Sequence, residues 1–162
     1  MSFINLAFIF SAKYLIFVMG GLALYWFSRM ERTQQEKMAT FAFVSLPLTY
    51  VLGLIGSALY YDPRPFVTGG IIPLISHAAN NGFPSDHALA AFALTAVFFA
   101  FDHKKAKILF VLAAIVAFAR VLVGVHHYLD VEAGLVFALL GWYLTKKIFR
   151  YYKNHTNTKL AQ

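Results

Sequence analysis

Apolar residues run along this chain in long blocks instead of alternating with polar ones. Five blocks stand out, at residues 14–28, 39–59, 88–101, 106–123 and 131–149. Blocks of this kind specify helices in hydrocarbon, and each is near the roughly 17–25 residues that cross a bilayer. The third is the shortest and predicts a helix that needs protein cover at one end. Residues 3–11 (Phe3, Ile4, Leu6, Phe8, Ile9, Phe10) add a further apolar stretch, read as a helix over 1–12 lying flat at the interface with Lys13 at headgroup depth. Glycines and prolines between 60 and 84 mark a loop that turns repeatedly. The predicted architecture is all-α: an integral membrane bundle of about five transmembrane helices plus the interfacial helix, with residues 1–162 as one domain.

Composition agrees with the pattern. The chain is 60% hydrophobic and 13% charged, with a mean hydropathy of +0.64, whereas a soluble domain carries about 25% charged residues. It has no cysteine, which excludes disulfides, thiolate nucleophiles and cysteine-ligated metal sites. The net charge of +7 does not point to nucleic acid, because the basic residues flank apolar blocks instead of forming a stripe interleaved with aromatics. The amino terminus has no basic n-region and no convincing cleavage site, so a cleaved signal peptide is not expected.

The basic residues also orient the bundle. Arg29, Arg32 and Lys37 lie between blocks one and two; Lys104, Lys105 and Lys107 lie between blocks three and four. Lys146, Lys147, Arg150, Lys153 and Lys159 lie at or in the tail over 150–162, which places eleven of the 14 basic residues on one face. The positive-inside rule makes that face cytoplasmic and leaves the 60–84 loop outside the cell. Gly20-Gly21, and Gly53 with Ser57, are expected at close helix contacts. Pro47 is expected to kink the second span. Tyr60, Tyr61, Tyr128, Trp26 and Trp142 suit the interfacial aromatic belt.

Three polar clusters interrupt the apolar pattern, all on the predicted outer face. The first is Arg64-Pro65, within Asp62-Pro63-Arg64-Pro65, where flanking prolines aim a guanidinium suited to bidentate phosphate binding. The second is Pro84-Ser85-Asp86-His87, which opens the third span. Free N–H groups at that helix start favour an anion, the Ser85 hydroxyl can cap the helix or bind a phosphate oxygen, and His87 is placed to act as a general acid. In the third, Arg120 precedes His126 and Asp130, which are four residues apart and share one helical face. Asp130 can then orient His126 as a nucleophile. Arg120 at a span's end needs an anionic partner, either a substrate or a salt bridge to Asp130 or Glu132. A shifted pair of His127 and Glu132 is the alternative, disfavoured by its spacing. His103 and His155 are read as solvated, and the role of His77 is open.

Together these residues resemble the type 2 phosphatidic acid phosphatase superfamily, whose signature is K-x6-R-P, then P-S-G-H, then S-R-x5-H-x3-D. Asp86 stands for the glycine of the second motif and Ala119 for the serine of the third. The stretch from His77 to His87, with Asp62 to Phe66 upstream, is similar to the bacterial undecaprenyl-diphosphate phosphatases of that superfamily. One departure is Ser57, which falls where the family has its first-motif lysine; Lys13 is the spare cation expected to reach the site instead.

The resemblance implies a two-step hydrolysis of undecaprenyl diphosphate that recycles the lipid carrier of the cell wall. His126, oriented by Asp130, forms a phosphohistidine, and His87 serves as acid and then base. Arg64, Ser85, Asp86, Arg120 and Lys13 are the implied phosphate-binding set. No metal or other cofactor is implied; the partners are the lipid phosphate and the bilayer. Another lipid phosphate (phosphatidylglycerophosphate, phosphatidic acid or lipid A 1-phosphate) is the competing substrate. A metal-binding transporter built on the histidines and aspartates is the competing class, disfavoured because Arg64 and Arg120 repel a cation.

Overall fold

Helix α5 (Asp86–Phe99) is the element around which the others pack in the computed structural model, which describes residues 2–159. Its sequence is apolar on every face, so it has no side to give to water. Nine of its residues, from Ala88 to Phe98, are buried. At 14 residues it is about 21 Å long, short of a bilayer's hydrocarbon, and most of its length is packed against protein. The protein cover expected at one end of this span extends along most of the helix, leaving Ala90 and Phe99 exposed.

Helices α6 (His103–Leu122) and α7 (Tyr128–Lys159) flank α5, and α3 (Arg32–Leu59) closes the bundle against α5 and α7. Small residues set these distances. A Cβ added at Gly134 of α7 would lie 2.8 Å from the backbone nitrogen of Leu89, and one at Gly53 of α3 would lie 2.7 Å from the Leu89 side chain. Gly53 thus behaves as expected. Gly20 and Gly21 do not, since an added Cβ at either meets nothing within 4 Å.

The outer faces of the bundle remain apolar. Phe43, Leu54 and Leu59 of α3, Ile108 and Phe118 of α6, and Val136 and Leu139 of α7 are exposed, as a lipid-facing surface requires. By length and composition, Arg32–Leu59 and Tyr128–His155 can each cross a membrane, and the bent pair described next makes a third if taken as one span. Helix α3 begins at Arg32, ahead of the predicted block, because an Arg32–Glu36 pair at 2.9 Å suits a solvated first turn. It continues through Pro47.

Helices α1 (Phe3–Lys13) and α2 (Leu15–Ser28) meet at Tyr14 with a 52° bend. Helix α1 is therefore a separate element, with Phe3, Ile4, Leu6 and Phe10 exposed. Its other face packs through Phe8, Ile9 and Ala12 onto Ala119 of α6 and onto Ile75, Val123 and Val125. The 60–84 loop holds one helical turn, α4 (Pro65–Thr68), and a bridge between Pro63 and Asn81. It is tied to the α6–α7 turn by Leu74 N–H donating to Val123 O at 2.9 Å. The predicted tail over 150–162 continues α7 as far as Lys159; Met1 of the amino-terminal stretch and Leu160 to Gln162 of the tail lie outside the described residues.

Candidate active site

The end of α3, the start of α5, the end of α6 and the start of α7 meet at one end of the bundle. The three polar clusters converge there. Gly124, with φ +79°, makes the turn after α6 that this requires. The turn presents His126 with 3% exposure, and α7 then supplies Asp130, fully buried. Nδ1 of His126 lies 3.1 Å from Oδ2 of Asp130, which also accepts from the His127 backbone N–H at 2.9 Å.

Arg64 fixes the other side of the ring. Its Nη1 lies 3.2 Å from Nε2 of His126 and donates to Val125 O at 2.8 Å. Its Nε donates to Asn80 Oδ1 at 3.0 Å and its Nη2 to Asn81 O at 3.3 Å. Guanidinium only donates, so Nε2 carries the lone pair and Nδ1 the proton given to Asp130. His126 is thereby held as the tautomer a nucleophile needs. Burial pulls its pKa below the ordinary histidine value, opposed by the bond to Asp130.

Arg120 is 2% exposed and donates from Nη1 to Ala12 O at 3.3 Å, while its Nε has no partner. No carboxylate pairs with it among the described residues. The salt bridges to Asp130 or Glu132 are absent there: Asp130 Oδ2 bonds His126 and His127 instead, and Glu132 is exposed. A buried cation with an unused donor is a site for an anion. Ser85 is a second unsatisfied group: its hydroxyl is fully buried without a partner and does not cap α5. Its backbone N–H instead donates to Asp130 O at 3.0 Å, which ties the second cluster to the third.

His87 is half-buried, and no hydrogen bond fixes its ring among the described residues. The carboxylate of Asp86 is exposed and borders an apolar groove of about 410 Å³ between α3 and α5, lined by Leu46, Tyr50, Leu89 and Leu94. The His77 ring packs edge-on against His126 at 6.1 Å between centroids. Burial, then the positive Arg64, lower its pKa. Lys13 is exposed and holds its ammonium 5.6 Å from the Tyr14 ring centroid, with no bond to the pocket among the described residues; it is the adjacent Ala12 carbonyl that touches Arg120.

Some of the site was not read from the sequence. Asn81 is the pin of the 60–84 loop, as its Oδ1 accepts from the N–H groups of Asp62 and Phe83. Its Nδ2 reaches Ser57 O at 3.0 Å, Ser57 Oγ at 3.1 Å and Tyr60 O at 2.9 Å. Ser57 is therefore occupied with the loop. His127 pairs with Asp62 at 3.1 Å and not with Glu132. The adjacent asparagines before Gly82-Phe83-Pro84 were the available signal, since asparagine holds tight loops by bonding to backbone.

A helical bundle with a lipid-facing surface thus gathers, at one end, a buried histidine bonded to a carboxylate and two buried arginines. The chain belongs to the PAP2 superfamily, whose profile matches residues 38–154. It is 35% identical over 142 residues to the bacitracin transport permease protein BcrC of Bacillus licheniformis, covering 86% of this chain and 68% of that protein. It is 32% identical over 108 residues to the undecaprenyl-diphosphatase BcrC of Bacillus subtilis (strain 168), covering 67% of this chain and 56% of that protein. Among solved structures, Aquifex aeolicus LpxE superposes with a TM-score of 0.74 at 22% identity, over 91% of this chain and 87% of its own, a likeness of fold.

Proposed function

We propose that this protein hydrolyses undecaprenyl diphosphate to undecaprenyl phosphate and inorganic phosphate, as the name of its Bacillus subtilis relative suggests. The observation that carries the reading is the Asp130–His126–Arg64 chain of bonds, which frees one imidazole nitrogen and puts a guanidinium beside it. Nε2 of His126 attacks the terminal phosphorus, forming an N–P bond as the bond to the bridging oxygen breaks. His87 gives its proton to that oxygen on the departing lipid phosphate. It then takes a proton from water, which attacks the phosphohistidine, releases inorganic phosphate and restores His126.

Arg64, Arg120, the Ser85 hydroxyl and the first N–H groups of α5 hold the equatorial oxygens, where charge accumulates. Asp86 contributes through its backbone N–H, since its carboxylate would repel the phosphate. Lys13, next to the residue that touches Arg120, is the reserve cation for a second phosphate. The apolar groove bordered by Asp86 offers the lipid tail a path from the bilayer to the helix start. With the basic residues at the opposite end, the site faces outside the bacterial cytoplasmic membrane, α1 lies at that outer interface, and the tail is cytoplasmic.

The test is phosphate release by the purified protein from undecaprenyl diphosphate, beside glycerolipid phosphates and lipid A, with chelator and with vanadate. Release from the diphosphate that survives chelator and is lost with vanadate supports the reading. Preference for a monophosphate lipid reassigns the substrate. Detergent micelles enclose no compartment, so release there is hydrolysis and not transport.

A further inference from the structure

The two oxygens of buried Asp130 are treated unequally. Oδ2 accepts from His126 and from the His127 backbone. Oδ1 has no partner among the described residues and is shut off from solvent. A carboxylate oxygen buried without a donor is costly and rare.

Beside Asp130 lies the carboxyl of Asp62, one oxygen of which is within 4.8 Å of an Asp130 carboxylate oxygen and of a His127 ring nitrogen. Asp62 is rigidly held. Its N–H donates to Asn81 Oδ1 at 2.9 Å, its carbonyl accepts from Gly82 N–H at 2.8 Å, and its Oδ2 is bonded to His127 Nδ1 at 3.1 Å. Its side chain is 15% exposed. Gly82 packs against both residues: a Cβ there would lie 3.0 Å from Asp130 Oδ2 and 3.1 Å from the Asp62 backbone carbonyl oxygen. Two carboxyls this close in a poorly hydrated place are stable when they share a proton.

We propose that Asp62 is a positioning residue whose carboxylic O–H donates to Oδ1 of Asp130, fixing Asp130 in the orientation that sets the tautomer of His126. His127 completes the unit, with Nδ1–H donating to Asp62 Oδ2 and its backbone N–H donating to Asp130 Oδ2. The pair carries one negative charge, and one proton lies between its two acids. The titratable groups facing Asp62 are Asp130 and His127; the guanidinium of Arg64, two residues on, is spent on Asn80, Asn81, Val125 and His126. Burial, then the adjoining Asp130, raise the Asp62 carboxyl above its ordinary range, in the direction a shared proton requires. The proposal rests on the reading of His126 as nucleophile.

The experiment compares Asp62→Ala with Asp62→Asn in the full chain. It measures phosphate release from whichever lipid phosphate the wild type cleaves, and the ¹⁵N NMR titration of the His126 ring, which needs no substrate. Asp62→Ala removes the donor: kcat falls about tenfold or more with KM nearly unchanged, and the His126 midpoint rises because Asp130 directs more charge at it. Asp62→Asn donates an amide N–H to the same oxygen and recovers most of the rate and the wild-type midpoint. Equal loss in both variants with a lowered midpoint overturns the proposal, since Asp62 would then act as a fixed anion or a metal ligand. An Asp62→Ala variant that matches wild type overturns it too. If Asp62→Ala does not fold, the Asp62→Asn rate and midpoint decide alone, wild-type values supporting the shared proton and lowered ones refuting it. A wild type that releases no phosphate while both variants titrate as expected sinks the hydrolase reading and leaves the carboxyl pair standing.

Discussion

Arg64 Nη1 lies 3.2 Å from the Nε2 of His126, while the opposite ring nitrogen lies 3.1 Å from Asp130 Oδ2. A donor on one side and an acceptor on the other leave a single tautomer for the neutral ring. The arginine also guards the lone pair until a phosphate arrives, whose oxygens then take over its N–H groups.

Asp130→Asn reverses this arrangement. An amide N–H facing Nδ1 moves the ring proton to Nε2, where it meets the Arg64 guanidinium and leaves no lone pair to attack. Activity is expected to fall on the order of 10³–10⁴-fold, the scale seen when a catalytic triad loses its orienting acid. Steady-state kinetics on wild-type and variant proteins with matched circular dichroism check this.

Arg120 has an unused Nε and no acidic partner among the described residues. Inorganic phosphate or vanadate should therefore raise the thermal midpoint of the wild type by mass action. Arg120→Ala should remove that shift while leaving the ligand-free midpoint unchanged or higher, because it deletes a buried, unpaired charge. An unchanged vanadate shift in Arg120→Ala would show that the anion binds elsewhere.

Burial holds the imidazole of His126 below the ordinary histidine value of 6.5, with the Asp130 bond opposing. The protonated ring is the inactive form, so activity is lost as pH falls through this lowered value. The acid limb of kcat/KM assigned to His126 is expected below pH 6.5. A limb above that value would mean the Asp130 bond outweighs burial.

Ser57 stands where the family carries a lysine, and it serves Asn81. Restoring the lysine with Ser57→Lys should lower activity, since it removes the hydroxyl that Asn81 bonds and forces a longer side chain against the asparagine whose carbonyl accepts from Arg64. Asn81→Ala should cost about 1–3 kcal/mol of stability for each buried backbone group left unpaired. Denaturation midpoints and kcat/KM, measured together, check both.

The helices were legible because periodicity and length are local properties: α3, α6 and α7 lie on the predicted blocks, and α1 separates from α2 next to Lys13. Their ends were less legible, because helix continues through polar residues such as Arg32 to Lys37, which apolar counting discards. The motif residues Arg64, Ser85, Arg120, His126 and Asp130 were legible from residue type and order, and the bundle gathers them. The supporting residues were not. Asn81, Asp62 and His127 act through contacts across 19 to 65 positions of sequence, which no local pattern encodes.

The most direct test of the account is rapid-quench trapping with undecaprenyl diphosphate labelled with ³²P on its terminal phosphate. The account predicts an acid-labile, base-stable phosphoprotein in the wild type, its formation slowed by about 10²–10⁴-fold in His87→Ala and absent in His126→Ala. Label that persists at wild-type level in His126→Ala would contradict it.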